Sequence, residues 1–98
     1  MTNPILPTEL LCFLKSIASE SRINILLLFL DGQDRTVNEI AAAVGLGQPA
    51  TSEHLKVMKF AGILTSRKAG KEVYYQPDRA KVLNMLDALD QIVRSCCN

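Results

Sequence analysis

The chain has little of what marks a membrane protein, a secreted disulfide scaffold or an enzyme. No stretch approaches the roughly 18 consecutive apolar residues that span a bilayer; the run Ile23 to Leu30 is short and contains Asn24. The N-terminus carries neither the basic region nor the small-residue cleavage site of a signal peptide. Three cysteines, an odd number, do not suggest a secreted disulfide framework, and a cytoplasmic protein is expected. The sequence has no Gly-rich phosphate loop and no nucleophile motif, and its one histidine, His54, lacks a Ser or Cys in a recognisable catalytic arrangement. No enzymatic activity is expected.

A net charge of +1 also says nothing by itself about partners. Its distribution does. Between Lys56 and Lys81 seven basic residues face two acidic ones, a local charge of +5, while the remainder has four basic and eight acidic residues, or −4. A protein that offers one face to phosphate and keeps the rest neutral or acidic has this footprint. Ninety-eight residues, 48% of them apolar, suffice for one domain over 1–98 with a single modest core. Residues 1–7 and 95–98 are expected to be flexible tails.

Along the chain, Thr8 can cap a helix over roughly 9–18, with Leu10, Leu11, Leu14, Ile17 and Ala18 at three- and four-residue steps. Ser19 or Ser21 opens a second helix, ended by Asp31-Gly32, so apolar that it is expected at the centre of the core. Thr36-Val-Asn-Glu39 has the form of a capping box for a short third helix that ends at Val44-Gly45. A tight glycine turn leads to a fourth, about 48–61, with Pro49 in its first turn where a missing amide does no harm. Two helices joined in this way form a helix-turn-helix. The period then switches to strands, 63–68 and 71–76, around Ala69-Gly70 as a two-residue hairpin turn. A last helix runs from Asp78 to about Ser95. The expected fold is mainly α, a winged helix-turn-helix of order ααααββα.

In the fourth helix Thr51, Leu55 and Met58 share one face and suit the core. Gln48, Ser52, Glu53, Lys56 and Lys59 lie largely on other faces. A recognition helix reads base edges with residues near its N-terminal end. Gln suits adenine, Ser either type of edge, and a carboxylate can accept from cytosine N4. Lys56 and Lys59, with Arg67, Lys68 and Lys71 on the hairpin, suit phosphate, which gives affinity without sequence information. A solvated helix face would explain the helix alone; the basic hairpin directly after it makes that the weaker account. The His54 ring is expected to be structural or DNA-facing, not a metal ligand.

The stretch Leu46-Gly-Gln-Pro-Ala-Thr-Ser-Glu-His-Leu55, then Met58 and Ala61-Gly62-Ile63-Leu64, resembles the recognition-helix pattern of the ArsR/SmtB family of winged-helix repressors. Ile17 to Leu26 is similar to that family's second-helix start, and Arg67 to Tyr75 to its wing. The likeness covers about residues 10–93. It implies a homodimer that binds operator DNA and releases it when an inducer is sensed. Two departures stand out: Gly47 occupies a cap position where Ser is frequent, and Glu53 a position where Gln is usual.

The first and last helices carry the spare apolar stripes, so Leu10, Leu14, Leu86, Leu89 and Val93 are the expected dimer surface, with an inverted-repeat operator as its consequence. Of the metal sites the resemblance implies, a Cys-x-Cys pair has no sulfur in Val37 to Ala41, and a His/Asp site on the last helix has Asp78 and Asp87 but no histidine. Zinc sensing is therefore not expected. Cys12 and the vicinal Cys96-Cys97 remain. Three thiolates suit arsenite or antimonite, slightly ahead of a disulfide or persulfide switch; the competing account is a buried apolar Cys12 and an inert tail. No cofactor is obligatory. The partners expected are double-stranded operator DNA and a second copy of the chain, with no membrane. A rival of another class is a winged-helix protein-interaction module that does not bind DNA, against which the basic wing argues.

Overall fold

Helix ends set by short-range hydrogen bonds lay out the domain. In the computed structural model, which describes residues 5–96, Ser19 Oγ accepts from the Arg22 amide at 3.3 Å and opens α2 (Glu20–Leu27). Thr36 and Glu39 cap reciprocally, at 2.9 and 3.2 Å, and open α3 (Val37–Val44) as the capping box anticipates. α1 (Pro7–Ile17) starts earlier than expected: its cap is Leu6, Pro7 takes the first turn, and Thr8 lies inside the helix. Pro7 is suited there because its fixed φ is already helical and its missing amide would be unpaired anyway. At the other end α5 (Arg79–Cys96) reaches Cys96, so Pro7, Ser95 and Cys96 are helical and not tails.

α3 and α4 (Gln48–Phe60) form the helix-turn-helix, and the turn between them depends on Gly45 at φ 73, a left-handed conformation that costs other residues energy. β2 (Leu64–Ala69) and β3 (Glu72–Pro77) make the wing. Their register pairs Ala69 with Glu72, which puts Gly70-Lys71 in the turn, one residue later than the sequence suggests. Gly70 is the residue able to take φ 64 there, and a glycine at the first central position is the type II′ solution. A two-residue strand, β1 (Arg35–Thr36), pairs antiparallel with β3 and gives the sheet order β1-β3-β2. It carries no periodic signal and is an addition to the ααααββα order.

The core joins Phe13, Ile25, Ile40, Leu55, Met58, Ile63 and Met85, with Leu10 beside them. α2 does not sit at its centre. Only Ile25 of the helix is fully buried, and Ile23 and Leu27, with Leu30 in the 3-10 turn (Leu28–Asp31) that follows, face outward. The helix is eight residues long and lies on the outside of the bundle, so one stripe faces in and the rest cannot.

The loop after the 3-10 turn is held by Arg35, which donates to the Leu28 carbonyl at 2.8 Å and pairs with Asp31. The Arg35 guanidinium, then the Gln33 amide, hold the Asp31 carboxyl at about 2, below its ordinary 3.8. Because the folded state favours the charged carboxylate, the pair's contribution is full above pH 3.8 and is lost as pH falls through about 2. Asp31→Asn is expected to flatten this part of the acid dependence of the urea midpoint; an unchanged pH profile would show that the pair is worth nothing.

Candidate nucleic-acid interface

α4 is built with two unlike faces. Thr51, Leu55 and Met58 are 0–1% exposed, and the Thr51 hydroxyl returns a 2.9 Å hydrogen bond to the Gly47 carbonyl, so the inward side is both apolar and satisfied. The N-terminal cap is Gly47, which contributes no side-chain hydrogen bond. Gln48 therefore stands exposed at the first position of a helix whose leading amides lack a side-chain acceptor. Ser52 is half-buried, Glu53 exposed. Glu53 and Lys56 approach to 3.8 Å with side chains 71% and 77% exposed, a loose surface pair that bound phosphate could open.

The wing residues divide into two groups. Lys68 and Lys71 are exposed near its tip and have no partner among the described residues. Arg67, expected as a third phosphate clamp, is already engaged. Its guanidinium pairs with Asp34 at 2.8–2.9 Å and lies 4.9 Å from the centroid of Tyr74, its cross-strand neighbour. Arg67 thus braces the wing against the loop before β1. Lys59, also expected at phosphate, is engaged too: it donates to Ser66 Oγ at 2.7 Å and ties α4 to β2. Neither Asp34 nor Tyr74 stood out in the sequence, because Asp34 lies 33 residues from Arg67 and a turn at Ala69-Gly70 would put Glu72, not Tyr74, opposite it.

His54 is half-buried, with Nδ1 3.2 Å from Arg22 Nη1 on α2. Arg22 did not stand out in the sequence as a partner of His54, 32 residues away, although it lies in the stretch that resembles the family's second helix.

The expected dimer residues do not all face out. Leu10 is 7% exposed and belongs to the domain's own core, with Leu14 and Leu89 packed partly against it. Leu86 and Val93 are exposed, and so are Leu11, Leu83 and Ile92, which the expectation omitted. Only Met85 of the 18-residue α5 is fully buried. Periodicity identifies an apolar stripe, but α5 turns one edge of it inward and leaves the other bare.

Cys12 and Cys96 line different cavities. Cys12 is half-buried beside a cavity of about 300 Å³ lined also by Phe60, Lys81 and Met85. Cys96 lines a different groove, with Leu11, Leu14 and Ile92. Met85 and Cys96 are eleven residues apart on α5, or about 16 Å along the helix. No group of three His, Cys, Asp or Glu side chains able to hold a metal occurs among the described residues. Cys97 lies outside the described residues.

A recognition helix, its preceding turn helix and a basic hairpin define a winged helix-turn-helix domain. The family model described as bacterial regulatory protein, arsR family, matches residues 19–66. The chain is 40% identical over 63 residues to the HTH-type transcriptional repressor SmtB of Mycobacterium tuberculosis, a match over 64% of this chain and 46% of that protein. It is 32% identical over 79 residues to the transcriptional activator HlyU of Vibrio cholerae, a match over 81% of this chain and 72% of HlyU. Among solved structures, the homodimeric winged helix-turn-helix DNA-binding domain of a "possible ArsR-family transcriptional regulator" from Mycobacterium bovis superposes with a TM-score of 0.68 at 26% identity, covering 89% of this chain and 84% of that one. The chain belongs to the ArsR family. It spans about half the length of the SmtB repressors it matches.

Asp34→Ala is expected to free Arg67 while leaving folding stability within about 1 kcal/mol, the usual worth of an exposed pair; a loss of several kcal/mol in urea titrations would make the brace a core element of the fold.

Proposed function

We propose that the chain acts as a homodimeric DNA-binding transcriptional repressor. The observation that carries this reading is the outward side of α4, with Gln48, Ser52 and Glu53 in its first half, His54 at its middle and Lys56 beyond. A hairpin whose Lys68 and Lys71 have no partner among the described residues follows it directly. Gln48 and Ser52 serve base edges, with Glu53 accepting from cytosine N4. The wing lysines and Lys56 serve phosphate. Arg67 joins the phosphate contacts only if DNA displaces Asp34 from it.

A second copy is the natural occupant of the bare face of Leu11, Leu83, Leu86, Ile92 and Val93, each 44–53% exposed. An isologous contact through α1 and α5 would set two recognition helices about one DNA turn, ~34 Å, apart and call for an inverted-repeat operator. The sign of regulation is repression, as the name of the SmtB relatives has it; HlyU is named an activator.

For the signal, the reading is a thiol sensor. Cys96 and Cys97 are adjacent in sequence, and because Cys12 and Cys96 line different cavities of one chain, the third sulfur for As(III) or Sb(III) would come from Cys12 of the second copy. A thiol redox or persulfide switch at the same cysteines is the alternative. A protein-interaction module without DNA binding is the rival of another class, and it leaves the unpartnered wing lysines without a task. The protein would act in the cytoplasm, and no helix among the described residues is long and apolar enough to cross a membrane.

Lys68→Ala is expected to weaken binding to all duplexes alike and to lower the slope of log K against log salt by about one, whereas Gln48→Ala should relax base preference; unchanged affinity and slope for Lys68→Ala would remove the wing from the interface. For the effector, gel shifts with arsenite, cadmium, zinc, and oxidised or polysulfide-treated protein are compared with Cys12→Ser and Cys96→Ser/Cys97→Ser. Release by arsenite that any of these substitutions abolishes supports the three-sulfur site. Release by oxidant alone favours the redox switch, and mutants that respond like the parent exclude both.

A further inference from the structure

The last four carbonyls of an α-helix have no partner within the helix. In α1 one of them, that of Ser16, is met by a side chain from the next helix: Arg22 Nε donates to it at 2.5 Å. Ser16 itself is 2% exposed and its hydroxyl is spent on the Phe13 carbonyl at 2.8 Å, so the end of α1 is a fixed, buried acceptor. A guanidinium at a helix C-terminus is also favoured by the helix dipole. The same guanidinium continues to α4, where Nη1 lies 3.2 Å from His54 Nδ1. One planar group thus holds the end of α1 and the middle of the recognition helix, 32 residues away from it in sequence.

The chemistry of the two partners decides the direction of the second bond. Arginine has five N–H donors and no acceptor, so Nδ1 of His54 must be the acceptor and the ring proton resides on Nε2. Nε2 has no partner among the described residues. Arginine's rigid fork makes the arrangement specific, because the angle between its Nε–H and Nη1–H directions is fixed. Lysine, a single ammonium on a flexible stem, cannot span both acceptors in this geometry.

We propose that Arg22 is a positioning residue for DNA reading: it fixes α4 relative to α1 through His54 and sets that ring in its Nε2–H form. The proposal rests on the DNA-binding reading above. It makes His54 a hinge pin of the recognition helix and links the helix that carries part of the bare apolar face to the helix that reads DNA. Contact with DNA through His54 would then be made as a donor, from Nε2.

The test uses the full chain and two probes, a duplex selected from a random pool by the parent protein and the repetitive duplex poly(dI-dC). Arg22→Ala, Arg22→Lys and His54→Leu are each expected to weaken binding to the selected duplex about 10- to 100-fold, the range of a charge-assisted hydrogen bond. For Arg22→Lys, which keeps the positive charge, binding to poly(dI-dC), which depends on phosphate contacts, should change by less than about twofold. Arg22→Ala/His54→Leu should be no weaker than the more affected single variant, as for two members of one unit. His54→Asn, whose amide oxygen can take the place of Nδ1, should recover most of the loss. Additive losses, or an Arg22→Lys protein that binds the selected duplex like the parent, overturn the proposal. Because His54 is the only histidine, the ring 15N spectrum reads the tie without DNA. The parent is expected to hold the Nε2–H tautomer alone, and Arg22→Lys a mixture of both. A ring that ignores Arg22 overturns the tie whatever the DNA result. A ring that responds in a parent that selects no duplex upholds the tie and removes the DNA reading instead.

Discussion

Everything the outward side of α4 can do depends on how its inward side is held. Thr51, Leu55 and Met58 are sealed against Ile25, Ile40 and Ile63 in one small core. Interiors packed to crystal-like density tolerate little displacement, so this stripe fixes the helix's rotation. Rotation in turn decides which residues meet solvent: Gln48, Glu53 and Lys56 do, Ser52 and His54 do so in part. Around that fixed helix the polar ties are few and each joins two elements. Lys59 reaches β2, Arg67 and Asp34 join the wing to the loop before β1, and Arg22 joins α1 to α4.

The second constraint is that this core is too small for all the apolar surface the chain carries. α5 is 18 residues long and seals one side chain, Met85, with Val82 and Leu89 partly covered. The remaining apolar edge of α5, with Leu11 of α1, stays bare. Exposed apolar patches of this kind mark association surfaces in soluble proteins. The outward side of α4 and the bare apolar face are thus on different elements around one core, and α1 touches both through the Arg22 tie. A signal that altered the packing of α1 or α5 would have a short physical route to the recognition helix.

Local spacing made much of this legible in the sequence. The Thr36–Glu39 capping box, the glycine turn at Gly45 and the stripe Thr51–Leu55–Met58 each express themselves within a few residues, and each stands as expected. What the sequence left ambiguous depended on distant partners. Leu10 and Leu86 both belong to apolar stripes, yet one serves the domain's own core and the other is exposed. The choice is made by how α1 and α5 cross, which periodicity does not encode. Arg67 looked like a free cation because Asp34 is 33 residues away, and moving the turn by one residue to Gly70-Lys71 shifts each cross-strand partner by two, which puts Tyr74 instead of Glu72 opposite Arg67. The hydrophobic run of α2 promised a central helix, but its short length leaves room for only one buried stripe.

The central claim is that two copies of α4 read DNA as a symmetric pair, and selection from a random duplex pool by the purified chain tests it most directly. The account predicts enrichment of an inverted repeat whose half-site centres lie about one helical turn, ~34 Å, apart. Enrichment of a single unrepeated site, or no enrichment at all, would contradict it.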